Sequence, residues 1–182
     1  YVVPHWPPPY GIDADSMHQL LIDDELRTAG VSRPNNPVGI GWAAPTIMLA
    51  GTAEQKQKFL NPIFTGEAFF CQMFSEPDAG SDLANLATRA EQDGDEYVVN
   101  GSKIWTSGGH NSDYGILIAR TNPDLPKHKG ITVFIIPMDA PGVEIRQIRQ
   151  MSGGTSFNEV FLTDVRIPDA YRVGDIGEGW KV

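Results

Sequence analysis

The sequence has one cysteine among its 182 residues, no long apolar run, and fewer basic than acidic side chains. A single cysteine excludes an intrachain disulfide and a cysteine-based metal site. The four histidines show no ligand spacing such as HExxH, so no metal site is predicted. No run approaches the roughly 20 apolar residues of a membrane span. The formal net charge of −9 argues against a nucleic-acid surface. The single cysteine favours a reducing compartment, which would be the cytosol or, in a eukaryote, the mitochondrial matrix.

The first part of the chain, up to about residue 69, carries helical signals. The segment Ser16–Gln19 has the spacing of a capping box and precedes a helix-like apolar pattern that ends at Gly30. Residues 38–50 are apolar and small, with Pro45 expected in a first turn. A second capping box at Thr52–Gln55 predicts another helix. The chain starts with Tyr1 instead of Met, so we expect a piece of a longer protein.

The remainder of the chain carries β signals. The run Phe70–Phe74 predicts a strand that leads into the loop SEPDAGSD. Asn100-Gly101, between two strand-like runs, predicts a type I′ hairpin, because both central residues of that turn take positive φ. Further runs bounded by Gly, Pro or Asp predict strands at 86–92, 96–99, 102–106, 114–120, 131–137, 143–149 and 157–167. The expected fold class is therefore α+β, with partial helices followed by an antiparallel barrel or sandwich.

Two motifs in the β part occur at a spacing that identifies a family. One is Gln72–Asp82 (QMFSEPDAGSD), and the other is Asn100–Gly109 (NGSKIWTSGG). Their order and separation resemble the middle β domain of the acyl-CoA dehydrogenase family. The resemblance extends upstream through GTAEQKQKFLNPIFTGE and downstream through FNEVFLTDVRIP and GDIGEGWKV, and so covers most of the chain.

The resemblance implies three regions and a reaction. Residues 1–69 would be part of an N-terminal helical domain, 70–175 the middle β domain, and 176–182 the start of a C-terminal helical domain. In this family a carboxylate removes the α-proton of an acyl-CoA thioester while the β-hydride passes to flavin N5, giving a trans-2-enoyl-CoA. The catalytic base lies on the C-terminal helical domain, so no catalytic residue is expected in this chain, and the chain alone should be inactive.

The resemblance also implies which residues contact the cofactor FAD: Gln72, Phe74, Ser75, Gly80, Ser81, Trp105, Thr106 and Ser107. The Ser75 hydroxyl would donate to the pyrimidine end of the flavin, and the Trp105 ring would pack on the flavin. Ser81 would also touch the acyl-CoA substrate. Lys127, His128 and Lys129 form the one dense basic cluster, which the family places near the CoA phosphates.

Each of these residues also has a structural interpretation. Ser75 is a residue type that caps turns, Trp105 on a strand could fill a core, and the basic cluster could be a solvated loop. We interpret Glu76 as a brace that holds the loop by hydrogen bonds, and Asp82 as an N-cap or a loop brace. Cys71 lies in an apolar run and is expected to be a buried, inert thiol.

The sequence departs from the family pattern at several positions. Gln72 stands where Tyr is frequent, and Ser75 and Ser107 stand where Thr is frequent, which preserves the hydroxyl groups. Residues 151–156 lack an Arg that many members carry. The substrate subclass, whether fatty, branched or steroid-derived, is therefore left open.

Two other functions are compatible with these motifs. An acyl-CoA oxidase-like flavoenzyme shares the scaffold and differs in whether oxygen reaches the reduced flavin. A non-catalytic β module that binds acyl-CoA or protein would show no flavin affinity. For a dehydrogenase, the resemblance implies an electron-transfer flavoprotein as acceptor and a homotetramer or homodimer as the assembly.

Overall fold

The computed structural model describes residues 2–182. Three α-helices come first, α1 (Ser16–Thr28), α2 (Ala44–Ala50) and α3 (Ala53–Thr65), and a π-helical turn, Gly39–Ala43, leads directly into α2. Eight strands follow, namely β1 (Phe70–Met73), β2 (Arg89–Asp93), β3 (Glu96–Ser107), β4 (Tyr114–Arg120), β5 (Ile131–Pro137), β6 (Val143–Ile148), β7 (Phe157–Pro168) and β8 (Arg172–Val173). The α+β class and the largely antiparallel sheet are as expected from the sequence.

The helix ends follow the local chemistry of the sequence. At α3 the capping box is present: the Thr52 hydroxyl accepts from the Gln55 backbone amide, and the Gln55 side chain accepts from the Thr52 amide. At α1 the predicted capping box is absent, because the N-cap is Asp15, whose carboxylate accepts from the His18 amide. A carboxylate there also meets the positive end of the helix dipole.

The sheet has the strand order β6-β7-β3-β2-β4-β5-β8, with β1 beside β4. The pairings of β4 with β1 and with the start of β2 are parallel, and the others are antiparallel. The sheet folds over on itself, so that side chains of β3 and β7 face those of β4 and β5. The rings of Tyr97 and Phe134, from β3 and β5, lie 4.8 Å apart across this interior.

The helices pack on the opposite face of β1, β4 and β5. Ile47 of α2 and Phe59 of α3 share one buried cluster with Phe70, Ile116 and Val133 of the sheet. Helix α1 contributes no buried residue. Within residues 2–182, no helix combines the length and the apolar character that crossing a membrane requires.

The predicted Asn100-Gly101 hairpin is wrong, since β3 runs without a turn from Glu96 to Ser107. The hairpin lies one step earlier, where Gly94-Asp95 joins β2 to β3 and Gly94 has φ +68°. Gly101 instead has φ +153°, and a Cβ there would lie 2.5 Å from the Thr88 hydroxyl oxygen. The glycine therefore permits a close approach between two backbone segments, which a sequence pattern does not distinguish from a turn.

Candidate functional site

The two motifs that carry the family resemblance lie side by side. The backbone amide of Ile104 donates to the Ser75 carbonyl at 2.9 Å. The Lys103 ammonium donates to the Phe74 carbonyl at 3.0 Å. One backbone and one side-chain hydrogen bond thus join the end of β1 to the middle of β3, so that residues about 30 positions apart in the chain lie side by side.

The loop after β1 is braced by Glu76. Its backbone exchanges two hydrogen bonds with Ala79, which closes the turn. Its carboxylate accepts from the Ala87 amide at 2.7 Å, from the Thr88 amide at 3.0 Å and from the Lys103 ammonium at 2.8 Å. These contacts confirm the interpretation of Glu76 as a structural brace: its acceptor positions point into the protein, and the residue is only 8% exposed.

Lys103 and Glu76 form a buried ion pair, in which the lysine is completely inaccessible to solvent. Burial of the ammonium lowers the pKa of Lys103 to about 8, although the Glu76 carboxylate acts in the opposite direction. Desolvation alone would raise the pKa of Glu76. The Lys103 ammonium and the hydrogen bonds to the carboxylate outweigh it, so the pKa lies below its ordinary value of 4.5. Both side chains are therefore charged at neutral pH.

Trp105 follows directly and interrupts the regularity of β3. Between Lys103 and Thr106 the strand contains one residue more than β7 opposite, which makes a β-bulge. Trp105 lies in this bulge with φ +61°, in the left-handed region that a bulky residue adopts only under constraint. Trp105 is 57% exposed, and its ring meets the Phe157 ring edge-on at a centroid distance of 6.1 Å. The structure therefore does not use Trp105 as a core residue.

The residues after Trp105 alternate between the interior and the surface. Thr106 is buried, and its hydroxyl oxygen has no hydrogen-bond partner among residues 2–182. Ser107 is exposed and lines a cavity of about 320 Å³ together with Asn36 and Asn111. Of Thr106 and Ser107, both predicted to contact the flavin, only Ser107 therefore lies at the surface.

A larger cavity, of about 580 Å³, lies between α2, the sheet and the last residues of the chain. Gln72 and Phe74 line its floor, and Trp42 and Leu49 of the helical side form one wall. Trp180 closes the other side. The lining is predominantly apolar and has no carboxylate among residues 2–182.

The outer end of the loop is open. A Cβ built on Gly80 would have no atom within 4 Å, and Gly80 does not have the positive φ that would require a glycine. Ser81 is exposed. Asp82 occupies the N-cap position of the 3₁₀ turn Leu83–Asn85, although its side chain makes no cap hydrogen bond. Its carboxylate contacts the Lys127 ammonium at 2.9 Å, and this exposed pair makes it a loop brace.

The basic cluster adjoins this end of the site. Lys127 is tied to Asp82, and the His128 ring packs against the Trp180 ring at a centroid distance of 4.5 Å. Lys129 is exposed. Lys127 and His128 therefore lie between the loop and the larger cavity, whereas Ser107 lines the smaller cavity.

Three residues that shape the site have no predicted role. Lys103 is a lysine within an apolar strand pattern, a signal that indicates a buried partner. Asn158, which is also fully buried, donates to the Thr106 carbonyl at 2.8 Å. Trp42 is carried by the π-helical turn and has no distinguishing sequence signal. Cys71 is buried, as expected, and desolvation raises the pKa of its thiol to about 12.

The residues present fit a flat aromatic ligand such as a flavin. Trp105 offers an exposed ring, the surface of the loop is free of side-chain bulk at Gly80, and Ser75 is only half-buried. The backbone of Trp105 is strained, with φ +61°, and strained residues are concentrated at ligand sites.

The architecture, in which helices pack on a folded, mostly antiparallel sheet, is shared with acyl-CoA dehydrogenase structures. The chain matches the sequence profile of the "Acyl-CoA dehydrogenase, middle domain" over residues 71–165 and that of the "Acyl-CoA dehydrogenase, N-terminal domain" over residues 1–67. The chain therefore belongs to the acyl-CoA dehydrogenase family.

Several relatives are similar along nearly the whole chain. Acyl-CoA dehydrogenase FadE34 of Mycobacterium tuberculosis is 49% identical and is matched over 100% of this chain and 25% of its own length. FadE26 of the same organism is 45% identical over 97% of this chain and 44% of its own length. This chain thus spans between a quarter and about half of the relatives it matches.

Solved structures agree with the fold. The Tcur3481-Tcur3483 steroid ACAD superposes with a TM-score of 0.87 at 41% identity, covering 99% of this chain and 46% of that one. The ChsE4-ChsE5 complex from Mycobacterium tuberculosis gives a TM-score of 0.85 at 45% identity, again over 99% and 46%.

Proposed function

We propose that this chain provides the flavin-binding surface of an FAD-dependent acyl-CoA dehydrogenase. The observation that carries the proposal is the joint arrangement of the braced loop and the bulge that exposes Trp105, in a chain that belongs to this family. A binding-only module differs from this proposal in having no affinity for flavin.

The proposed contacts follow the surface outward from β1. Gln72 and Phe74 would contact the ring system from the floor of the larger cavity, and the Ser75 hydroxyl would donate to its pyrimidine end. A donor aimed at a position where negative charge develops can contribute a few kcal/mol in a dry site, typically about 3–4. Trp105 would pack on the ring, with Thr106 and Ser107 beside it.

At the open end of the loop, the free space beside Gly80 would let the ligands approach the backbone, and Ser81 would meet both cofactor and thioester. Lys127, His128 and Lys129 would face the CoA phosphates. Of these, Lys127 is already paired with Asp82, so phosphate binding would compete with that exposed ion pair.

In the proposed reaction the substrate loses hydrogen from Cα and Cβ, and bound FAD supplies the acceptor of the hydride equivalent. The residues of this chain bind and orient the cofactor and thioester and exclude water with apolar side chains. No carboxylate lines the larger cavity among residues 2–182, so we propose that the general base comes from outside this chain.

We further propose a bulky apolar acyl group, of the steroid-derived class, as the substrate. Two observations support it: the larger cavity, of about 580 Å³, has a mostly apolar lining, and a solved structure that covers 99% of this chain at 41% identity is that of a steroid ACAD. An electron-transfer flavoprotein as acceptor and a homotetramer or homodimer as the assembly stay predictions, and the ChsE4-ChsE5 relative is itself described as a complex.

The test is the visible absorbance spectrum of the purified full-length protein. Flavin bands that bleach anaerobically with a steroid-derived acyl-CoA, and less with a linear one, would support both proposals. A protein that remains colourless after FAD is added would refute them.

One observation keeps an oxidase as the second candidate: a prolyl acyl carrier protein oxidase, AnaB, is 33% identical over 75% of this chain, with a TM-score of 0.72. The reoxidation rate of the reduced protein in air separates the two. Slow reoxidation indicates a dehydrogenase, and reoxidation that keeps pace with turnover indicates an oxidase.

A further inference from the structure

Trp105 requires a constraint on both sides. A tryptophan with φ +61° is held against its intrinsic preference, and a residue in such a conformation persists only where the neighbouring structure determines it. The Phe157 ring lies edge-on to the indole, and Trp105 is more than half exposed. Packing of the indole itself therefore does not fix this backbone.

The constraint before Trp105 is the buried Lys103. Its ammonium donates to the Glu76 carboxylate at 2.8 Å and to the Phe74 carbonyl at 3.0 Å, so the side chain cannot shift without leaving a buried charge unpaired. The next residue, Ile104, donates its amide to the Ser75 carbonyl at 2.9 Å. The backbone is thereby fixed up to the residue that precedes Trp105.

The constraint after Trp105 is the buried Asn158 of β7. Its amide nitrogen donates to the Thr106 carbonyl at 2.8 Å and to the Ser156 carbonyl at 3.3 Å. Its oxygen accepts from His110 Nδ1 at 3.0 Å, while Asn111 donates to His110 Nε2 at 3.0 Å. Because the Asn111 amide nitrogen can only donate, this arrangement orients the Asn158 carboxamide with its oxygen toward His110 and its nitrogen toward Thr106.

The same sheet contains a matched case away from the site. Asp164 of β7 also has positive φ, +50°, opposite a second register shift of β3. The Asn100 side chain holds it: its oxygen accepts from the Asp164 amide at 2.9 Å, and its nitrogen donates to the Asp164 carboxylate at 3.0 Å. Asn158 beside Trp105 and Asn100 beside Asp164 are thus two side-chain carboxamides that bond next to or at a residue with positive φ.

We propose that Lys103 and Asn158 are positioning residues, which hold Trp105 in its left-handed conformation and so fix the angle at which the indole is presented to the ligand. That the ligand is a flavin rests on the proposed function. The clamp itself, formed by Lys103, Asn158 and the two backbone contacts beside them, is a property of the protein alone.

The direct test uses full-length protein labelled with 5-fluorotryptophan. The ¹⁹F resonance of Trp105 is assigned by its loss in Trp105→Phe. We expect that resonance to shift or broaden in Lys103→Met and in Asn158→Leu, and to keep its position and width in the control Asn100→Ala. If Lys103→Met does not fold, Glu76→Gln replaces it, because glutamine keeps the side-chain volume and removes the charge. Its control is Glu144→Gln, because Glu144 belongs to the exposed Arg146–Glu144 pair.

A double-mutant cycle reads out the consequence for binding. We expect Lys103→Met to weaken FAD binding about tenfold, which corresponds to about 1.4 kcal/mol. In a Trp105→Gly background it should have almost no further effect, because glycine takes positive φ without support and offers no indole to orient.

The outcomes separate the two proposals. An unchanged Trp105 resonance in both clamp variants, or an equal loss of FAD affinity in both backgrounds, would overturn the clamp. Wild-type protein that binds no FAD would refute the proposed function, and the ¹⁹F comparison would still decide whether the clamp exists.

Discussion

Replacement of Lys103 by methionine should change how stability depends on pH. The folded-state pKa of Lys103 is about 8, below its ordinary value of 10.5, because burial disfavours the ammonium. Between these values the unfolded chain binds a proton that the folded chain lacks, so the free energy of unfolding rises with pH. At about 1.4 kcal/mol per pKa unit, the contribution of Lys103 should grow by about 3 kcal/mol across the interval. Methionine has no such contribution.

Urea denaturation of wild type and Lys103→Met at several pH values measures this difference directly. Near pH 7 the variant should be less stable by about 3–5 kcal/mol, because the Glu76 carboxylate loses its buried partner. The gap should then widen as pH rises from about 8 to about 10. Other groups that titrate in this range are common to both proteins and cancel in the comparison.

Lys181→Met is the control, since the Lys181 side chain is 77% exposed and pairs with Glu178 at the surface. Its stability should follow that of wild type at every pH. A gap between wild type and Lys103→Met that stays constant from pH 7 to 10, or narrows, would refute the assignment of a desolvated ammonium to this position.

Three further predictions concern backbone positions. Gly80→Val should change the free energy of unfolding by less than about 0.5 kcal/mol, since a Cβ there meets nothing, yet lower FAD affinity at least about tenfold in a flavin titration. In thermal melts, Trp105→Val should be less stable than Trp105→Asn by about 1 kcal/mol, because Asn tolerates the positive φ at this position. This order is the reverse of the usual preference for Val in strands. Gly101→Ala should destabilise the protein by more than about 2 kcal/mol because its Cβ would collide with Thr88, whereas Gly80→Ala should not.

Much of the fold could be predicted from local patterns. The strands at 114–120 and 131–137 are found where their continuous apolar runs predict them, because they are buried on both faces between the helices and the interior of the sheet. The capping box at Thr52 is correct because its two reciprocal hydrogen bonds involve only residues three apart. Such features depend on neighbours in the sequence.

The features that could not be predicted depend on distant partners. Nothing local reveals that β1 pairs in parallel with β4, more than 40 residues later. The identity of the N-cap of α1 depended on whether Asp15 or Ser16 turns its side chain toward the first amides. The predicted hairpin at Asn100-Gly101 is wrong for the same reason: Gly101 lies against Thr88, and the Asn100 side chain bonds to Asp164.

Two glycines show which residues bear on function. Gly101 is demanded by the fold, because any side chain there would enter the space of Thr88, and its presence says nothing about a ligand. Gly80 is demanded by nothing in residues 2–182, neither by its φ nor by a neighbour. The same distinction separates Tyr97, which fills the interior, from Trp105, which is exposed at a cost in backbone strain. The fold does not require a glycine at position 80, and it must stabilise a strained backbone at Trp105. This combination is expected where a bound ligand completes the surface.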